Sequence, residues 1–360
     1  MRILFATSHP HIPQIAGGAQ STTHELVLEL RSRGHVVGVH SGLIGRGWLG
    51  FRNRAIMKAT GRKAVEDGSL GYPVYRSWFA WQAAAEASAA FRPQVVVLQS
   101  GHPVRMAKAF QDVGAAVVPY FHNVEFDADL GGDPRELSAR CCIANSQFTA
   151  AKYKEAFGLN PIVIYPLIKS EDYRTDTDGS SVVFINPHPD KGVDMAIKLA
   201  RRCPEIPFTF VEAWTLEARA RTELKDSLRH LPNVKLVPRT RDMRSIYRKA
   251  RIVLAPSQYQ ETFGRVAAEA HISGIPVLAS RRGGLPEAVG PGGVILDVDE
   301  PLDTWVAALE RLWTDEPYHR QLSQAALDYA RRPELDRDRQ LARLLGVLQA
   351  ATDPLAALVE

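Results

Sequence analysis

The stretch ARIVLAPSQYQETFGRVAAEAHISGIPVLAS, residues 250–280, constrains the fold more than any other part of the chain. A β-branched run, Ile252 to Ala255, stops at Pro256 and Ser257 and crosses a polar loop to Glu261. It then enters a small-residue helix predicted from Thr262 to Ile272, and Gly274 leads into a second strand at Pro276 to Ala279. Strand, loop, helix and strand make one unit of a parallel α/β layer. Such a unit sets the helix N-terminus at the carboxyl edge of the sheet. There the N–H groups of Thr262, Phe263, Gly264 and Arg265 lack intrahelical partners and form an anion site. Glu261 and Glu269 frame it. A diphosphate held at the helix start would present a sugar to Glu261 and a ribose diol to Glu269, because ionised carboxylates accept hydroxyl hydrogen bonds well. Glu261, Arg265 and Glu269 are also spaced i, i+4, i+8, the pattern of a salt-bridged surface face, and the residues alone leave both readings open.

Glu261 and Glu269 with seven residues between them, the Phe263-Gly264 step and the following GIPVLASRRGGLPEAVG resemble the donor-site signature of the retaining GT-B glycosyltransferases of family 4, glycosyl transferases group 1. The resemblance runs over nearly the whole chain. It implies an α/β protein of two Rossmann-like, doubly wound domains facing a cleft, with a C-terminal helix crossing back to the first domain. It further implies transfer of a sugar from a nucleotide-diphosphate donor with the anomeric configuration kept.

At 360 residues the chain can bury two cores of ordinary size. Its 45% hydrophobic and 23% charged residues are those of a globular protein, and a net charge of +4 favours anionic partners without pointing to nucleic acid. No uncharged apolar run is long enough to span a bilayer, and MRILFATSH has no signal-peptide h-region. A cytoplasmic protein is expected. Cys141, Cys142 and Cys203 show no CxxC spacing and read as buried free thiols.

RILFATS, residues 2–8, reads as a first buried strand, followed by a loop and a helix from Ser21 to Arg33. Gly17 and Gly18 lie in that loop, where glycine lets the backbone approach a ligand, and their spacing is not GxGxxG, which argues against a dinucleotide fingerprint. The resemblance makes this the loop that faces the donor phosphates and the acceptor. Residues 42–63 interleave Arg46, Arg52, Arg54, Lys58, Arg62 and Lys63 with Trp48, Leu49, Phe51, Ile56 and Met57. That mix suits peripheral contact with an anionic inner membrane face or an anionic acceptor, and also a solvated basic insertion.

The strand Ala115 to Phe121 ends in His122, a position at which parallel sheets touch ligands and which resembles the family's histidine beside the donor sugar. Asp127-Ala-Asp129 mimics a metal-holding DxD. The resemblance argues against a metal there and implies a metal-independent enzyme with no cofactor beyond its nucleotide-sugar substrate. Lys191 follows the strand-end loop PHPDKG and can reach a diphosphate as a point charge. An arginine that the family often carries nearby is replaced by Pro187, with Arg265 as a candidate substitute.

The expected organisation is an acceptor-side domain at 1–166, a linker at 167–180, a donor domain at 181–334 and a returning helix at 335–360. The expected function is a retaining, hexosyltransferase-like enzyme using a UDP- or GDP-sugar and a glycan, lipid-linked or small-molecule acceptor. His122, Glu261 and Lys191 form its catalytic set; Gly17, Gly18, Lys191, Glu261, Thr262, Phe263, Gly264, Arg265 and Glu269 bind the donor. Two rivals are a GT-B-type nucleotide-sugar epimerase or hydrolase, and a non-catalytic nucleotide-sugar binding module.

Overall fold

A computed structural model describes residues 1–15, 17–214 and 216–353, so the last part of the expected returning helix, 354–360, lies outside the described residues. The first sheet contains β1 (Arg2–Pro10), β2 (Val36–Gly42), β3 (Val65–Asp67), β4 (Val74–Ser77), β5 (Val95–Leu98), β6 (Ala116–Phe121), β7 (Ile143–Ala144) and β8 (Ile162–Val163). Their spatial order is β3-β4-β2-β1-β5-β6-β7-β8, parallel except where β3 runs against β4. The second contains β9 (Ser181–Ile185), β10 (Phe208–Val211), β11 (Val234–Val237), β12 (Ala250–Ala255), β13 (Val277–Ser280) and β14 (Gly293–Leu296), in the order β11-β10-β9-β12-β13-β14 and wholly parallel. That is the 3-2-1-4-5-6 order of a doubly wound sheet.

Parallel strands covered by helices on both faces need continuous apolar runs, and the sequence supplies them. Ile3 to Ala6, Val95 to Leu98 and Ile252 to Leu254 are all but inaccessible to solvent. Phe184, Phe208, Phe210, Leu254, Leu278 and Trp305 pack together as the second core. Each such side chain contributes about 1.5–3 kcal/mol on burial.

The chain divides into two compact units, one of Met1–Leu167 with the stretch from Asp338 onward, the other Ile168–Arg337. The final helix, Arg337–Thr352, buries Leu341, Leu344 and Leu348 against Ile3, Phe5 and Leu30 of the first core. Their three- and four-residue spacing makes one apolar stripe, and Gln340 Oε1 accepts the Tyr165 N–H at 2.9 Å beside it. The doubly wound α/β architecture and the returning helix therefore follow expectation.

Several local features differ. The helix predicted from Thr262 runs instead from Arg265 to His271, because Gly264 takes a left-handed φ of 94° and breaks the helical path before it. Residues 42–63 contain a helix, Gly47–Thr60, and lead into β3 and β4, two strands the sequence reading missed. Cys141 and Cys142 are only half-buried, while Cys203 is buried; all three are free thiols.

Candidate functional site

In an open α/β sheet the ligand crevice lies outside the carboxyl ends of the strands, where neighbouring strands lead off in opposite directions. In the second unit that point falls between β9 and β12. The loop after β9 carries Lys191 and the loop after β12 carries Glu261, and the two side chains meet there in an ion pair. Seventy residues of sequence separate them. Ser257 Oγ also donates to Glu261 Oε1, at 2.8 Å. The Lys191 ammonium lies 5.0 Å from the Trp214 ring centroid and 5.5 Å from that of Tyr259, so two π-faces as well as a carboxylate hold it. Both charged side chains are mostly shielded, 17% and 13% exposed, which strengthens their attraction relative to a surface pair. An entering anion would compete with Glu261 for the ammonium.

Glycines set this geometry by close approach of backbones. A Cβ on Gly192, whose φ is +80°, would stand 1.9 Å from the Pro256 carbonyl oxygen. One on Gly283 (φ +60°) would stand 2.0 Å from the Glu261 carbonyl oxygen, which accepts the Gly284 N–H at 2.6 Å. The RRGG run therefore clamps the loop that presents Glu261. Asn186, just beyond β9, adopts a left-handed φ of 68°, and its side-chain oxygen accepts the Trp214 N–H at 3.1 Å. Asparagine is one of the few residues that tolerates that conformation.

Glu269 sits on the short helix and is buried. Tyr247 donates to its Oε2 at 2.9 Å and Arg265 Nε to its Oε1 at 3.2 Å. Burial, and then the Glu269 carboxylate, push the Tyr247 phenol well above its ordinary pKa, so it stays protonated and keeps donating. The exposed salt-bridged face allowed by the i, i+4, i+8 spacing is not what forms: Glu261 lies off the helix on Lys191, and Glu269 points inward. The Arg265 guanidinium is engaged with Glu269 and with the Tyr173 hydroxyl at 3.2 Å. Thr262, Phe263 and Gly264 lie in the loop before the helix, and only Arg265 of the four is helical.

In the first unit, Gly17 caps the helix Gly18–Ser32 in extended backbone. His122 follows β6 and is 5% exposed; burial holds its pKa down at about 3, so the ring is neutral. Gln99 Oε1 accepts from Thr23 Oγ1, which turns the Gln99 amide nitrogen to His122 Nε2 at 3.4 Å. Asp129 is a structural residue: its Oδ2 accepts from Asn123 Nδ2 at 2.6 Å and from the Gly101 N–H at 3.2 Å, whereas Asp127 is exposed. Sequence reasoning missed Ser257, Trp214, Tyr259, Tyr247, Gln99 and Thr23. Ser257, directly after a strand end, carried the one local signal.

Comparison with known proteins matches residues 16–172 to the model of Glycosyltransferase Family 4 and residues 174–328 to that of Glycosyl transferases group 1. The D-inositol 3-phosphate glycosyltransferase of Corynebacterium diphtheriae is 48% identical over 88 residues, 24% of this chain and 20% of the relative, so the match spans about a fifth of that protein. A glycosyltransferase from Rickettsia africae superposes with a TM-score of 0.75 at 14% identity, covering 98% of both chains. The Anabaena protein HepE, in complex with UDP-glucose, superposes with a TM-score of 0.73 at 19% identity, covering 96% of this chain and 99% of its own. Family matches over both halves, two doubly wound sheets and a final helix packed into the first core agree: this chain belongs to glycosyltransferase family 4, glycosyl transferases group 1, and has the GT-B fold.

Proposed function

We propose that the protein transfers a sugar from a UDP- or GDP-sugar to an acceptor hydroxyl with retention of anomeric configuration. One observation carries the reading: loops 70 residues apart bring Lys191 and Glu261 together at the switch point of the second sheet. In this reading the donor diphosphate takes the ammonium from Glu261, and the freed carboxylate turns to the sugar hydroxyls. Glu269, held by Arg265 and Tyr247, receives the ribose diol. His122, held neutral by burial, is the first unit's candidate contact for the donor sugar.

The anomeric carbon–phosphate oxygen bond breaks as the acceptor oxygen bonds the same face, and the acceptor proton passes to the leaving phosphate oxygen. Charge builds on that diphosphate, where Lys191 and the backbone N–H groups of Thr262 to Arg265 stabilise it. The cation role belongs to a lysine, so turnover should be insensitive to EDTA. Three free thiols fit a reducing, cytoplasmic setting. The UDP-glucose of the Anabaena structure makes UDP-sugars the first donors to try. The corynebacterial relative's name makes a phosphorylated polyol the first acceptor.

The test is a thermal-shift and turnover screen of UDP-, GDP- and ADP-sugars on wild type and Glu269→Ala. One nucleotide family should raise Tm, with a ligand at a hundred times its Kd adding about 2.7 kcal/mol, and the substitution should abolish the shift. No shift with any nucleotide would overturn the donor site. Donor consumption without acceptor would indicate a hydrolase or epimerase, and binding without turnover a binding module.

A further inference from the structure

The helix Gly47–Thr60 carries its two aromatic residues on the side away from the protein. Gly50, Asn53 and Met57 are its buried residues and fall within about 60° of one another at 100° per residue. The opposite face carries Trp48, Phe51, Ala55 and Ala59. Trp48 is 77% exposed and Phe51 57%, their rings stacked at 6.2 Å. One more aromatic side chain joins from the loop after β4: Trp78, 44% exposed. The Trp78 ring lies against the turn that opens the helix, so close that a Cβ on Gly45 would stand 2.7 Å from it. A clustered aromatic surface of this kind marks an interaction site.

Charge says what the partner is. Arg52 flanks the apolar face on one side and Arg54 and Lys58 on the other, with Arg46, Arg62 and Lys63 around the helix ends. No acidic residue occurs from 43 to 65. Among the described residues, none of these six cations has a carboxylate within ion-pair distance, although many other arginines and lysines of the chain do. A second copy docked through the same face would set six cations against six, which opposes self-association. We infer that this face docks on an anionic lipid bilayer. The three aromatic rings enter the headgroup boundary, where amphipathic rings are favoured, and the cations meet lipid phosphates. No helix among the described residues is long and apolar enough to cross a membrane, so the contact is peripheral. The surface extends beyond the basic segment itself, because Trp78 completes its aromatic part.

The experiment is co-sedimentation of the full chain with vesicles of phosphatidylcholine alone and of phosphatidylcholine mixed with phosphatidylglycerol, with tryptophan emission read in parallel. At low salt the protein should partition at least about tenfold more onto the anionic vesicles, with a blue-shifted emission, and raised salt should weaken this. Trp48→Ser with Phe51→Ser should lower partitioning by about tenfold or more, and Arg52→Gln with Lys58→Gln should weaken anionic binding alone. These positions lie on the surface, so an unchanged melting temperature checks the fold. Absence of binding to anionic vesicles at low salt overturns the inference, and so does binding that the Trp48 and Phe51 changes leave intact. A concentration-dependent dimer lost in the Trp48 and Phe51 variant, without vesicle binding, would make a second copy the occupant and also overturn it.

Discussion

Lys191→Ala is expected to lower kcat by roughly 10²–10³-fold while the protein stays folded, the effect of removing one preorganised stabiliser of developing charge. The expectation rests on where the ammonium sits. It is shielded, bonded to Glu261 and bracketed by the Trp214 and Tyr259 rings, so it is oriented before any ligand arrives. Most of its contribution should therefore appear in kcat rather than KM, since a point charge aimed at the leaving diphosphate gains most when that group carries full charge. Lys191→Arg should recover only part of the loss, because a planar fork does not fill the place of a compact ammonium between two rings. Steady-state kinetics with the donor found by the nucleotide screen would measure both. A Lys191→Ala enzyme with near wild-type kcat would remove lysine from the mechanism, whereas a raised KM with kcat unchanged would reduce its role to donor binding.

Much of the second unit was legible because strand-end chemistry is local. The run Ile252 to Ala255 had to be a buried strand, and what followed it had to lie at the carboxyl edge, so Glu261 could be assigned to that edge without a structure. The partner of Glu261 could also be named as a strand-end residue. The pairing with Lys191 could not be read, because it depends on β9 and β12 being neighbours. The start of the short helix was misplaced for a related reason. The small-residue run after Gly264 reads as helix, but Gly264 itself turns left-handed at a place where a Cβ would stand 2.8 Å from Leu285, so the helix begins only after it. Strands β3 and β4 escaped because a three-residue and a four-residue strand leave almost no periodicity to detect. The exposed aromatic face was half legible: the cations and aromatics of 42–63 could be counted, yet only the burial of Gly50, Asn53 and Met57 says which side faces out.

The missed strands carry the second large expectation, that Asp67→Ala destabilises the first unit by about 3–5 kcal/mol. Asp67 ends β3 and Arg76 lies in β4; the guanidinium is wholly buried, and Nε donates to Asp67 Oδ2 at 2.9 Å. Its other nitrogens donate to the carbonyls of His11 at 3.2 Å and Ile12 at 2.6 Å, so this arginine also anchors the loop that leads to Gly17 and Gly18. Removing the carboxylate leaves a buried charge uncompensated, which is why the cost exceeds that of a surface pair. Asp67→Leu with Arg76→Met should restore only part of the stability, since the two loop carbonyls lose their donor. Burial raises the Asp67 pKa, but hydrogen bonds from Ser69 and Arg76 outweigh it and hold the carboxyl below its ordinary 3.8. A depressed carboxyl contributes stability above its unfolded pKa and loses it as pH falls through the folded value, so Asp67→Asn should flatten the acid side of the stability profile below about pH 4. Urea unfolding of wild type and variants across that range measures both effects. An Asp67→Ala protein as stable as wild type would show that Arg76 finds another counter-charge, and that the two short strands are not what holds the loop.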